Sequence, residues 1–280
     1  MQQYSMKTDD FLARMDTVRF ENRFAMMAWA RVKAVVAKFP TVTATSIEAG
    51  PFTPTMKVHL KKLLAIPKTT SLLDQVATLP GMSIDSAKPI VAKMKTLTDL
   101  KKPEIFEQLP IITQTHILYP PKRITYTEIA SIEKSLLALG AHAIVGSYRR
   151  RAKDSKDIDV MIIGEKEMLL EYETKLSALG KLHVYARGPD KFSAIMRVPT
   201  IKKWFRIDVF RCAKDEASAH LLYSTGSAQF NILMRSIAKS KGYLLNQRGL
   251  FKGQTLIKTT SEREIFEILG MKWREPHERM

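Results

Sequence analysis

The chain has 280 residues, enough for more than one hydrophobic core, and 45 Lys and Arg against 28 Asp and Glu leave it a formal charge of +17. Such an excess predicts a polyanionic partner, because neutralising phosphates releases condensed counterions and the field steers association. One cysteine, Cys212, excludes an internal disulfide framework and a cysteine-built zinc site, and with no apolar run near the roughly 18 residues of a membrane span, a soluble intracellular protein without a membrane partner is expected.

Residues 10–39 contain no Gly or Pro and carry Phe11, Leu12, Met15 and a dense apolar run from Phe24 to Val36, which predicts a helix stopped by Pro40. Lys7, Asp9 and Asp10 leave no signal-peptide core ahead of it. The turn-forming Gly50-Pro51-Phe52-Thr53-Pro54 precedes an amphipathic stretch over 58–64, with Lys57, Lys61 and Lys62 forming a basic stripe. Over 71–100, Leu79-Pro80-Gly81-Met82-Ser83 separates two helical stretches, a hairpin that would bring Gly81, Ser83 and Lys88 to a phosphate backbone. Leu109-Pro110 and residues 119–123 read as connections, and 127–139 as an amphipathic helix ended by Gly140.

Residues 141–145 form a short apolar strand pattern, so Gly146-Ser147 falls where a strand enters a basic segment. A helix starting there would offer free N–H groups and the Ser147 hydroxyl to a triphosphate, with Arg149, Arg150, Arg151, Lys153 and Lys156 adding charge. Asp157-Ile158-Asp159-Val160-Met161-Ile162-Ile163 follows with strand composition, and the period of two projects both carboxylates from one face. Two adjacent acids repel unless a cation lies between them, and Mg²⁺ takes carboxylates together with substrate phosphates. Asp208, in the β-prone run Arg206-Ile207-Asp208-Val209-Phe210, supplies a third acid, with Arg206 on its face. A Gly-Ser turn, an Asp-x-Asp and an arginine run each arise by chance; their order carries the inference.

Between the acids, 167–179 reads as a helix ended by Gly180, and 182–186 and 192–198 as strands of the same sheet. The chain then turns helical from 217 to 241, where Asn231 and Arg235 lie four apart on one face. Short strands at 243–245 and 255–257 precede a last helix over 261–269, with Ser261 as its cap and Glu264 three residues on.

The run Gly146 to Asp159, a glycine-serine pair, an aromatic, two arginines and Asp-x-Asp, resembles without a gap the motif of the X family of DNA polymerases, the DNA polymerase beta type. Tyr223-Ser224-Thr225-Gly226-Ser227-Ala228-Gln229-Phe230-Asn231 and Arg235 resemble its nucleotide and base-pair segment, and Trp273-Arg274-Glu275-Pro276 its close. The stretch 245–269 is especially similar to the family's small viral repair member, and 28–40 to a helix of its amino-terminal lyase domain.

The resemblance implies an α/β (α+β) chain: a helical lyase-like domain at 1–68, a helix-hairpin-helix subdomain at 69–121, a nucleotidyltransferase palm with a mixed sheet at 122–214, and a small α/β nucleotide- and template-binding subdomain at 215–280. It implies a template-directed polymerase that fills short gaps in DNA repair without proofreading, using two Mg²⁺ ions, or Mn²⁺ in their place, on Asp157, Asp159 and Asp208. Gly146, Ser147, Arg149, Arg150 and Lys156 would hold the dNTP phosphates, Tyr223, Ser224 and Gly226 its sugar, and Asn231 its base. Arg206 would meet the primer end and Arg235 the template; lyase activity would rest on Lys61. Gapped or nicked duplex DNA and dNTPs are the implied partners, with a DNA ligase as a further candidate, for a monomer of the nucleus, or of the virion or infected-cell cytoplasm in a viral member. A terminal transferase or other nucleotidyltransferase, and a non-catalytic DNA-binding scaffold, are the alternatives.

Overall fold

A computed structural model describes residues 5–15, 23–65 and 71–279, and the chain divides into two compact units, Met1–Leu100 and Lys101–Met280. No helix among the described residues is long and apolar enough to cross a membrane.

In the first unit the single helix expected over 10–39 is two, Thr8–Met15 and Arg23–Val36, and the stretch joining them lies outside the described residues. The second stops at Val36, ahead of Pro40: Lys38 and Phe39 donate N–H bonds to the carbonyls three residues back, tightening the chain into Thr41–Thr43, which pairs antiparallel with Ser5–Lys7. Three-residue strands are too short for a periodic signal, and neither was foreseen. Thr43 then caps Ala44–Ala49, accepting the Ser46 N–H at 3.0 Å. The expected turn leads into the helix Pro54–Ala65. Phe11, Met15, Val36, Val42, Ile47 and Leu60 are buried together, and the Trp29 indole N–H donates to the Met15 carbonyl at 2.9 Å.

The second hairpin joins Leu72–Ala77 to Ile84–Val91. Its turn closes through the Met82 N–H on the Leu79 carbonyl at 3.0 Å, with φ of +82° at Gly81, the position where a turn begun by proline requires a glycine. Ser83 caps the second helix, its Oγ accepting the Ser86 N–H at 3.2 Å.

The second unit is built on a five-stranded sheet in the order Ala143–Ile144, Asp157–Ile163, Ile201–Cys212, Lys191–Val198, Lys181–Arg187. Asp157–Ile163 and Ile201–Cys212 run parallel and the other neighbours antiparallel, so the sheet is mixed and the fold α/β as expected. The helices Tyr126–Ala138 and Glu167–Ser177 pack Ile129, Leu136, Tyr172 and Leu176 against Ile158, Val160, Ile162, Ile207 and Val209. One sheet face is therefore spent on the core and the opposite face remains for chemistry.

The helical stretch expected over 217–241 is two helices, Ala217–Thr225 and Ala228–Ser240. They separate at Gly226, with φ of +70°, and at Ser227, which accepts the Phe230 N–H at 3.2 Å. A three-stranded antiparallel sheet, Tyr243–Asn246, Gly249–Lys252 and Thr255–Ile257, packs with Glu262–Ile268 around Phe230, Met234, Leu250, Ile265 and Phe266. Its middle strand was not anticipated. Ser261 caps the last helix as expected, accepting from the Glu264 N–H at 3.3 Å, but the Glu264 carboxylate reaches Thr260.

Candidate active site

The parallel pairing determines the site. Asp159 is opposite Asp208 and Asp157 opposite Arg206, while Ile158, Val160, Ile207 and Val209 between them are buried in the core. Alternation therefore brings all three acids and Arg206 to the free face, on strands about 4.8 Å apart.

Two cations oppose three carboxylates. An Arg206 Nη lies 3.3 Å from Asp157 Oδ2 and 3.8 Å from Asp208 Oδ2. Lys191, on the next strand, brings its Nζ to 2.9 Å from Asp208 Oδ2 and to 4.6 Å from the centre of the Phe210 ring. Asp208 is 6 % exposed, and its Oδ1, with Arg206 Nε, is buried without a hydrogen-bond partner. Burial first, and then the Asp157 and Asp208 charges, push the Asp159 carboxyl up to about 7. The Asp157 carboxyl is raised by its burial, with Arg206 opposing.

Among the described residues no three acid, histidine or cysteine side chains converge into a ligand cage. Asp208 is paired with Lys191 and Asp157 with Arg206. The donor set still fits a hard divalent cation: three carboxylates on one face, and one buried Asp208 oxygen without a hydrogen-bond partner.

Beside the acids, Ala143–Ile144 runs into a single helical turn, Gly146–Arg149. Gly146 has φ of +63°, and a β-carbon there would lie 1.9 Å from Asp159 Oδ2. Sequence alone suggested that this glycine admits phosphate; the close approach it makes is to a carboxylate. Ser147 Oγ donates to Ser155 Oγ at 2.7 Å.

Arg149 extends to Glu262, with N–O distances of 2.6 and 3.0 Å, and to Thr225 Oγ1 at 2.5 Å. Fully buried Arg279 bonds the same carboxylate at 2.6 Å while stacking near Phe230, Phe266 and Trp273. Arg150 donates to the Thr225 carbonyl at 2.5 Å. Both arginines expected on phosphate thus join the turn to the break between the helices. Arg151, held at φ of +60°, Lys153 and Lys156 are exposed around it.

Asn231 Nδ2 donates to the Tyr223 carbonyl at 2.7 Å, and Arg235 Nε to the Asn231 carbonyl at 3.1 Å. Tyr223, Asn231 and Arg235 line a small pocket with Leu222, Leu245 and Asn246. Ser224 Oγ pairs with His220 Nδ1 at 3.1 Å. Within the first unit, Lys61 Nζ is 2.5 Å and Lys57 Nζ 3.5 Å from the Glu48 carboxylate, and Lys88 pairs with Asp85 at 2.9 Å.

Lys191, Glu262 and Arg279 escaped sequence reasoning. Lys191 opens a strand, Glu262 is an acid in a helix's first turn, and Arg279 is a charged residue at the end of the sequence given; each pattern predicts solvent. No local signal marks them, since their partners are 17 or more residues away.

A family model described as DNA polymerase beta thumb matches residues 220–280. The African swine fever virus repair DNA polymerase X (isolate Pig/Kenya/KEN-50/1950) is 33 % identical over 138 residues, 49 % of this chain and 79 % of the viral protein. The DNA polymerase lambda of Arabidopsis thaliana is 24 % identical over 296 residues, covering 88 % of this chain and 56 % of the plant protein. A crystal structure of Leishmania infantum polymerase beta in a ternary P/T complex superposes with a TM-score of 0.63 at 26 % identity, over 72 % of this chain and 95 % of the other.

Proposed function

This chain belongs to the X family of DNA polymerases, and on that premise we propose that it fills short gaps in duplex DNA, adding dNTPs to a primer 3′-hydroxyl at the face carrying Asp157, Asp159 and Asp208. It is a DNA-directed DNA polymerase of the repair type, a DNA-binding nucleotidyltransferase, and polymerases of this family are metal-dependent. The observation that carries the site is the parallel register, Asp159 opposite Asp208 with Asp157 on the same face.

Asp157, Asp159 and Asp208 would hold two Mg²⁺ ions, with Mn²⁺ as a substitute, which when bound lower the pKa of the attacking hydroxyl and offset charge on the departing pyrophosphate. Arg206, already beside Asp157 and Asp208, holds the primer-end phosphate next to the carboxylates. The Gly146 backbone, Ser147, Arg150 and Lys156 bind the triphosphate at the turn, where their charge is aimed at negative charge that grows as the α-phosphorus bond breaks. Arg149, committed to Glu262, fixes that turn. Tyr223, Ser224 and Gly226 lie along the sugar, Asn231 reads the incoming base and Arg235 the template. The hairpin of Gly81, Ser83 and Lys88 contacts the DNA backbone.

Primer extension on a one-nucleotide gap bearing a 5′-phosphate, with each dNTP separately and a single-strand control, tests the proposal. Insertion governed by the template base is expected, and Asp208→Ala and Asp159→Ala should abolish it while gap binding persists. Extension of the single strand regardless of template would indicate a terminal transferase, tight gap binding without extension a scaffold, and wild-type extension by either variant would remove the acids from the chemistry.

A further inference from the structure

Lys191 is paired with Phe210 across the antiparallel ladder, one position beyond the pair Ser193 and Asp208 on that face. Its side chain leans back along the strand, over the Phe210 ring, to bring Nζ to 2.9 Å from Asp208 Oδ2. Arg206 approaches the same oxygen less closely: its Nη is 3.8 Å from Asp208 Oδ2 and 3.3 Å from Asp157 Oδ2. One oxygen of a buried carboxylate is therefore taken by an ammonium while the other has no partner. The Lys191 side chain is 41 % exposed, with an open route to solvent on a flexible stem. An ammonium is a compact point charge, displaced more readily than a guanidinium locked by two bonds.

We propose that Lys191 is a displaceable counter-ion: it neutralises Asp208 in the metal-free enzyme, swings off as a divalent cation loads, and so sets the concentration of that cation at which the site fills. The proposal rests on the metal assignment of the three acids made above. Lys191 is thus a positioning residue, acting on the metal through a carboxylate they share.

The test is direct binding of Mn²⁺ to the metal-free full chain, followed by electron paramagnetic resonance of the unbound ion, without DNA or dNTP. Lys191→Met keeps the stem over Phe210 and removes the charge; Lys191→Gln is a second neutral variant should the first fold poorly. Both are expected to bind Mn²⁺ about two- to fivefold more tightly than wild type, the range a partly exposed ion pair supports. Lys191→Arg keeps a cation there, held by up to two bonds, and should bind no more tightly than wild type; a packing role for the stem would leave the neutral variants at wild-type affinity too, and Asp208→Asn should lose affinity. Neutral variants that bind no more tightly than wild type, while Asp208→Asn loses binding, overturn the counter-ion and leave the metal assignment standing. Asp208→Asn binding as wild type does overturns the metal assignment, and the counter-ion with it.

Discussion

Gly146 and Asp159 approach so closely that a β-carbon on residue 146 would sit 1.9 Å from a carboxylate oxygen of Asp159. The left-handed φ of +63° at Gly146 adds a second demand that only glycine meets without cost. Gly146→Ala is therefore expected to push the Asp159 carboxylate aside by an ångström or so, and a displacement of that size near reacting groups lowers rates by about 100-fold. The left-handed alanine adds about 1–2 kcal/mol of instability. Single-turnover incorporation at saturating dNTP, read beside a melting curve, separates the two. A near-wild-type rate would mean that Asp159 is not positioned through this contact.

Glu262 is buried between two arginines, with Arg149 from the turn Gly146–Arg149 on one side and Arg279 on the other. Removing the charge from one partner of a buried pair costs roughly 3–5 kcal/mol, since the remaining charge is left without compensation. Glu262→Gln should thus lower the melting temperature of the second unit by on the order of 10 °C. Arg149→Met should cost less, because the Glu262–Arg279 pair survives, and the double variant should fall short of the sum. A Glu262→Gln protein melting within 2 °C of wild type would show that the three charges are not coupled.

How much of this was legible depended on the range of the interaction. The placement of the acids was, because Asp157 and Asp159 alternate with Ile158 and Val160, and one run of sequence gives strand and face together. Gly81 and Gly140 were, because each ends or turns a segment through its own backbone. Arg149 was assigned to a phosphate because its neighbours are basic, and its engagement with Glu262, 113 residues on, has no local trace. Likewise Lys191 meets Asp208 only because of a strand register, which composition does not encode. The strands Ser5–Lys7 and Thr41–Thr43 were hidden by their length.

Lys61 has its ammonium at 2.5 Å from the exposed Glu48 carboxylate, with Lys57 at 3.5 Å from the same group. A lysine forming a Schiff base with an abasic sugar attacks through its Nζ, the atom that Glu48 holds here. If Lys61 is the nucleophile, borohydride trapping on an abasic substrate should be lost in Lys61→Ala and should rise in Glu48→Gln, which removes the ion pair that ties its side chain down. Trapping that survives replacement of Lys57, Lys61 and Lys62 together by alanine would place the nucleophile elsewhere.

The Asp159 carboxyl gives the metal-free enzyme a pH dependence whose sign follows from burial. Its folded pKa of about 7 lies above the unfolded value of roughly 3.9, so folding favours the protonated form. The associated stability is complete below about pH 4 and is lost as pH rises through about 7. Asp157, shifted in the same direction, adds to the slope. With a chelator present, the melting temperature should fall between pH 5 and 7.5, and Asp159→Asn should flatten that fall. Adding Mg²⁺ should reverse the sign, because the ion binds the deprotonated form and its stabilisation grows with pH. A wild-type melting temperature that rises with pH in chelator would show that Asp159 is charged in the metal-free fold, and that loading the metal releases no proton from it.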